Sequence, residues 1–182
     1  MGRQIARPGD VTILPVDYVV RPARTGDVRA IRGLVDANVA SGRLLDKATV
    51  TLYEDIQEFL VADRGSDGQV IGCGALHVMW EDLAEIRTIA VDETCQGEGV
   101  GYLLVEALLA RARELGVRRV FVLTFAVKFF GRLGFEEIGG EATTPEVYAE
   151  LLRSYDEGVA EFLDLDRVKP NTLGNMRMLL RL

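Results

Sequence analysis

The sequence has little with which to bind a metal, staple itself together or enter a membrane. It holds one histidine and two cysteines in 182 residues. Cys73 and Cys95 make no disulfide framework in a chain of this size, and with His77 they have no zinc-site spacing, so no metal is expected. No apolar run approaches the roughly 18 residues that span a bilayer. Met1 to Asp10 carries Arg3 and Arg7 without an apolar stretch behind them, which excludes a secretory leader. Positive charge is also short. The 21 Lys and Arg face 28 Asp and Glu, a net charge of −7, the wrong sign for a nucleic-acid partner. No repeat or low-complexity segment occurs. The expectation is a cytoplasmic protein without nucleic-acid or membrane partners. Its 48% hydrophobic content is ordinary for a globular chain, and its length suits one domain with a sizeable core.

What is present alternates between strand and helix patterns. Residues 1–17, with Pro8, Gly9 and Pro15, read as a poorly ordered lead-in to a domain over 18–182. Tyr18 to Arg21 is a short strand ended by Pro22. Thr25-Gly26-Asp27 caps a helix whose inner stripe is Val28, Ile31, Leu34, Val35 and Val39. A second helix places Leu52, Tyr53, Ile56, Phe59 and Leu60 on one face. A hairpin follows, with Arg64 to Gly68 as its loop. Gly72 and Gly74 in the return strand indicate a bulge or a close backbone approach. Near Val100 a helix starts, with Leu103, Leu104, Ala107, Leu108 and Ala112 inward and Gly116 behind it. Arg119 to Thr124 is a near-continuous apolar run, as expected of a strand covered on both faces. A short helix over 127–133, a strand at 134–138, tail helices over 145–155 and on to 165, and a closing strand over 176–182 complete a mixed α/β (α+β) domain.

The chemistry concentrates between Ala84 and Tyr102. Glu85, Arg87 and Thr88 interleave with Ile86, Ile89 and Val91 as a strand, and Gly97, Gly99 and Gly101 then lead into the helix. Strand, glycine loop and helix aim several backbone N–H groups and a helix dipole at one anion. A P-loop would need Lys and Ser/Thr after the last glycine, where Tyr102 and Leu103 stand. A dinucleotide fingerprint would need Gly-x-Gly-x-x-Gly, and an acidic residue ending the next strand, which ends in Thr124-Phe125. Gln96-x-x-Gly99-x-Gly101 after an apolar strand instead resembles the acetyl-CoA loop of the GNAT acetyltransferase superfamily.

Arg21-Pro22-Ala23, the hairpin and Phe129-Phe130-Gly131-Arg132-Leu133-Gly134-Phe135 carry the same resemblance over about 18–138. It implies a mixed, mostly antiparallel twisted sheet with a splayed central strand pair and helices on both faces. A narrower resemblance covers most of the chain. Leu44-Leu45-x-Lys47, Leu52-Tyr53-Glu54-x-Ile56, Gly72-Cys73-Gly74-Ala75-Leu76, Glu85-x-Arg87-Thr88-x-Ala90-Val91, Phe121-Val122-Leu123-Thr124 and Asn171-Thr172-Leu173-Gly174-Asn175-Met176-Arg177 are similar to N-acetylglutamate synthases. The short, freestanding actinobacterial type, without an amino-acid-kinase domain, is the nearest in kind. The implied reaction moves acetyl from acetyl-CoA, as co-substrate, to the α-amine of glutamate or glutamine, at the entry to arginine biosynthesis.

The resemblance also implies roles. Pantetheine would pair with the main chain at Ile89, Ala90 and Val91. Pyrophosphate would meet Gln96, Gly97, Glu98, Gly99, Val100, Gly101 and Tyr102. Glu85 matches the carboxylate proposed as base, with His77 an alternative. Many members place a tyrosine proton donor where this chain has Phe130, and Thr124 is the nearest substitute. An amino-acid acceptor brings a carboxylate, so cations are sought. Arg87 shares Glu85's strand face and is the first choice, followed by Lys47, Arg43 and Arg177. The net acidity fits a basic acceptor better. An acetyltransferase for a peptide N-terminus or polyamine, and a silent acyl-CoA sensor, therefore remain alternatives. Cys73 and Cys95 read as buried thiols. The apolar tail (Val147, Leu151, Leu152, Val159, Phe162, Leu163) either caps the core, the favoured reading, or supplies a homodimer contact.

Overall fold

The computed structural model describes residues 18–40, 44, 46–65, 67–140, 142–168 and 174–182. The expected lead-in and the candidate cation Arg43 lie outside them. In chain order the elements are β1 (Tyr18–Pro22), α1 (Val28–Ala40), α2 (Thr49–Glu54), β2 (Phe59–Arg64), β3 (Val70–Trp80), β4 (Leu83–Val91) and α3 (Val100–Glu114), then β5 (Arg119–Thr124), α4 (Val127–Arg132), β6 (Glu136–Glu137), α5 (Pro145–Leu151), α6 (Glu157–Phe162) and β7 (Met176–Arg181). The strands form one seven-stranded sheet in the order β1-β2-β3-β4-β5-β7-β6. Every described pairing is antiparallel except β4 with β5.

That one parallel pair is short. Leu83, Ala84 and Glu85 face Arg119, Val120 and Phe121, and the ladder goes no further. Beyond Glu85 the two strands part, as the resemblance implied. The main chain of Ile86 to Val91 then has no ladder partner on that side among the described residues. β4 is also irregular toward β3: Cys73 faces Ala90 while Ala75 faces Arg87, so β4 carries an extra residue there. Thr88 takes up the slack at φ 58°, the left-handed region that a β-branched residue rarely visits. The bulge changes which face each residue meets. Ala84 and Ile86 pack with α3, and Ile89 does as well, whereas Ala90 packs with α1.

Helices cover both faces. On one, Val100, Leu104, Val105, Leu108, Leu109 and Ala112 of α3 pack against Ile71, Leu76, Ala84, Val120 and Met178. The glycines of β3 let this helix come close. A Cβ on Gly72 would sit 3.0 Å from Leu104, and one on Gly74 would sit 3.0 Å from Leu108 and 2.4 Å from Ile89. On the other face, α1 packs Val28, Ile31, Leu34 and Val35 over Val61, Cys73, Ala75 and Ala90. The tail packs Leu151, Val159 and Phe162 over Leu83, Phe121 and Leu179, with the Phe121 and Phe162 rings edge to face at 5.4 Å. The tail thus caps the core, as the favoured reading had it, and Leu152 is its exposed exception.

Several sequence expectations shift. Leu103 is exposed, because the inner stripe of α3 runs through Val105 and Leu109 instead. Tyr53 is exposed too: α2 ends at Glu54, a 3-10 turn takes Ile56–Glu58, and Phe59 already belongs to β2. The first tail helix stops at Leu151, and the strand expected over 134–138 is reduced to Glu136–Glu137.

Candidate active site

The fork between β4 and β5 opens a line of three cavities across the sheet. The first, about 400 Å³, lies over Glu85 and Arg87 between the α1–α2 connection (Leu44, Lys47) and the α6 region (Asp156, Gly158, Glu161). The second, about 350 Å³, sits in the fork itself, lined by Thr88, Ile89, Thr124, Ala126, Phe129 and Phe130. These two share Leu44, Ile86, Arg87, Thr88, Leu123 and Asn175 as walls. The third, about 430 Å³, is formed by Val91, Gln96, Gly97 and Gly99 through Tyr102, and it shares Phe129 with the second.

The third cavity surrounds the glycine loop from which the sequence reading expects an anion cradle. Gly97 and Gly99 have φ of 85° and 89°, a conformation that other residues enter at a cost. No heavy atom lies within 4 Å of where their Cβ atoms would stand, so the approach to the backbone is open. Gly99 is the N-cap of α3, and no side chain caps that helix end. Its first-turn N–H groups are therefore available to a phosphate, with the helix dipole behind them. Tyr102 itself is half exposed at the rim. Glu98 accepts a hydrogen bond from the Tyr18 hydroxyl, a use of its side chain separate from the loop's N–H groups.

Glu85 stands where the fork begins. It is 4% exposed, and its Oε2 has no hydrogen-bond partner among the described residues. The nearest cation is Arg87, 3.9 Å away. Burial pushes the Glu85 carboxyl up to about 8; Glu161 and Asp156 push the same way, while Arg87 and His77 oppose them. Arg87, on the same face, donates to Asp156 and Glu58, each at 2.9 Å, and has Asp55 at 3.5 Å. Its positive charge is thus shared among four carboxylates. His77, across the ladder from Glu85, is bonded to Glu58 at 2.7 Å and has Asp156 at 3.6 Å. The bond to Glu58 raises its pKa above the ordinary value in spite of burial.

The other expected residues fall in different places. Lys47 lines the first cavity opposite α6. Thr124 ends β5, buried in the wall of the second, and its Oγ1 accepts a hydrogen bond from the Ala126 N–H at 2.9 Å. Ile89, Ala90 and Val91 lie on the stretch of β4 that has no ladder partner toward β5 among the described residues. Arg177 lies apart from all three cavities: it donates to the Phe162 carbonyl and is 4.0 Å from Asp164, and burial lowers its pKa. Both cysteines are buried, and Cys95 lines the third cavity, not the first. Four residues that line the first cavity escaped the sequence reading. Thr88 gives no local sign of a bulge. Asp156, Gly158 and Glu161 sit in a tail read for its apolar residues alone.

The Acetyltransferase (GNAT) family matches residues 37–135. The chain belongs to the GNAT acetyltransferase family. The amino-acid acetyltransferase of Mycobacterium tuberculosis is 60% identical over 89% of this chain and 93% of its own. The GNAT fold is shared with a crystal structure of Rv2747 from M. tuberculosis in complex with CoA and NLQ: TM-score 0.86, 59% identity, covering 90% of this chain and 99% of that one. An N-acetylglutamate synthase from Neisseria gonorrhoeae, complexed with coenzyme A and N-acetyl-glutamate, has the same fold at TM-score 0.72 and 24% identity, and the chain covers 35% of it. The chain likewise spans about 30% of the longer amino-acid acetyltransferase of Pasteurella multocida, at 31% identity. Among the described residues no helix is long and apolar enough to cross a membrane.

Proposed function

We propose that this GNAT enzyme transfers acetyl from acetyl-CoA directly to the α-amine of glutamate or glutamine. The observation that carries the reading is Glu85, a buried carboxylate with an oxygen that has no hydrogen-bond partner among the described residues, at the fork that separates an acceptor cavity from a coenzyme groove. In this reading the open N–H groups from Gln96 to Tyr102 hold the coenzyme's pyrophosphate. The backbone of Ile89, Ala90 and Val91, open on the side toward β5, aligns its pantetheine arm. The thioester then lies in the second cavity, against Thr88 and Thr124.

An amino-acid amine arrives as ammonium and must lose a proton before it can attack. Glu85 takes that proton, directly or through a water; the amine attacks the thioester carbonyl and the C–S bond breaks. The departing thiolate, with the acidity of an ordinary thiol, leaves without obligatory help. Phe130 is buried and offers no proton, and the Thr124 hydroxyl accepts from Ala126 while keeping its own hydrogen to donate.

The acceptor's carboxylate falls to Lys47 and Arg87. The first cavity is lined by six carboxylates (Asp46, Asp55, Glu85, Asp156, Glu157, Glu161) against those two cations. That balance favours glutamine, with one carboxylate, over glutamate, with two. The product would enter arginine biosynthesis in the cytoplasm. The test is a panel of glutamine, glutamate, polyamines and peptide N-termini with acetyl-CoA, reading released thiol and product mass. Turnover of glutamine above glutamate, and of both above the other amines, is expected. Activity confined to polyamines or peptides would end the reading, and acetyl-CoA binding without turnover would point to a sensor.

A further inference from the structure

The residues that complete the wall over Glu85 come from the C-terminal tail. α6 presents two stripes. Val159 and Phe162 are anchored in the apolar layer against Leu83, Phe121 and Leu179. Gly158 and Glu161, three apart and so on one face of the helix, line the acceptor cavity with Glu85. Gly158 lies so close to Glu85 that a Cβ there would come within 2.0 Å of its Oε2. Glu161 is only 9% exposed, although it is charged and belongs to a tail helix.

Two buried carboxylates facing one cavity repel each other unless a cation or a shared proton lies between them. Arg87 does not fill that place, because both of its 2.9 Å bonds go to Asp156 and Glu58. The Glu85 Oε2 is buried against Gly158 and has no hydrogen-bond donor among the described residues, so the carboxyl that shares the cavity with Glu161 is left uncompensated.

We propose that Glu161 is an acceptor-binding residue, forming with Glu85 a two-carboxylate seat for the α-ammonium of the amino acid. The inference rests on the acetyl-transfer reading and deepens it. Glu161 holds the charged amine while Glu85 removes its proton, and α6 is thereby part of the active site. A seat of this kind also explains how a strongly acidic cavity accepts a zwitterion: the ammonium enters the carboxylates and the carboxylate is left for Lys47 and Arg87.

The experiment is steady-state kinetics on the full chain with glutamine and glutamate varied at saturating acetyl-CoA. It compares wild type, Glu161→Gln and Glu161→Asp, with melting temperature as the check on folding. Glu161→Gln should raise the acceptor KM at least tenfold and leave the acetyl-CoA KM within twofold, a split between the two substrates that a merely structural role would not produce. Glu161→Asp, which keeps the charge, should recover much of the loss. An acceptor KM within twofold of wild type in Glu161→Gln overturns the proposal. So does a matched loss of acetyl-CoA affinity and melting temperature in both variants, which marks a packing role. Calorimetric titration of the CoA-loaded protein with glutamine separates this from failure of the functional reading. Binding weakened tenfold by Glu161→Gln without any turnover keeps the seat and removes acetyl transfer. Absence of both binding and turnover removes both.

Discussion

Replacing Glu85 with glutamine tests the site through two quantities that should move in opposite directions. The substitution keeps the size of the side chain and removes its charge. In the proposed role of base, Glu85 would contribute the factor of roughly 10²–10⁴ typical of positioned proton transfer. Turnover of Glu85→Gln should therefore fall at least tenfold while the acetyl-CoA KM stays near normal. Stability should rise. The folded protein holds the Glu85 proton up to about pH 8, against an ordinary value of 4.5. A carboxyl raised in this way contributes stability that is fully present below pH 4.5 and is lost as pH rises toward 8. At 1.36 kcal/mol per pH unit that loss has a ceiling of about 5 kcal/mol. Relaxation and water entry reduce such penalties, so about 1–2 kcal/mol is a reasonable expectation for the gain at pH 8. In a chain of this length that corresponds to a rise in melting temperature of roughly 3–6 °C.

The assay is thermal unfolding of wild type and Glu85→Gln at pH 5 and pH 8, beside kinetics at pH 8. The two proteins should melt close together at pH 5 and separate at pH 8, with the inactive variant the more stable. Groups whose charges do not act on Glu85 cancel between the pair, while Glu161 and His77, whose charges do, belong to the measured difference. Equal melting at both pH values would refute the claim that a strained carboxylate is held here. Unchanged turnover would move the base elsewhere, first to His77.

Other outcomes follow from single contacts. Gly99→Ala puts a Cβ on a residue at φ 89° beside the open N–H groups; it should cost about 1 kcal/mol and raise the acetyl-CoA KM at least fivefold, with the amino-acid KM unchanged in the same kinetic runs. Gly158→Ala places a Cβ 2.0 Å from the Glu85 Oε2, so it should displace the base and lower kcat at least tenfold; kcat within twofold of wild type would mean that Glu85 can move without loss. Cys95→Ala should leave turnover nearly intact, since that thiol lines the glycine-loop cavity and accepts a hydrogen bond from Arg64 at 3.3 Å; mass-spectrometric capture of an acetylated Cys95 would contradict direct transfer.

Sequence carried the frame well because the frame is local. Strand, glycine loop and helix between Ala84 and Glu114 are written in neighbouring residues, and Gly97 and Gly99 adopt the left-handed conformations that only glycine takes freely. The faces of Gly72 and Gly74 were legible for the same reason: no side chain fits between β3 and α3. Features decided by distant partners were not. Nothing near Thr88 marks it for positive φ, since a threonine in an alternating strand reads as ordinary pleat. Arg87 looked like a free clamp because its partners Glu58 and Asp156 are 29 and 69 residues away. Leu103 looked buried because α3 is apolar enough for the inner stripe to be drawn in two ways, and only the sheet beneath it chooses.

The placement of Glu85 in a cavity so poor in cations has a physical logic. A solvated carboxylate would sit at its ordinary value near 4.5, several units below an amino-acid amine, and taking the amine's proton would then be uphill by several kcal/mol before any bond formed. Burial under Gly158 and the nearby charges of Glu161 and Asp156 bring Glu85 to about 8, where the transfer is far closer to balance. More cations at this point would anchor the substrate's carboxylate better but would return Glu85 toward its ordinary value. Arg87 shows the compromise. It is close enough to meet an anionic substrate, yet Asp156 and Glu58 hold it at 2.9 Å, and its nearest guanidinium nitrogen is 3.9 Å from Glu85. The acidity that made the chain look ill-suited to an amino-acid acceptor is, on this argument, what keeps its base strong.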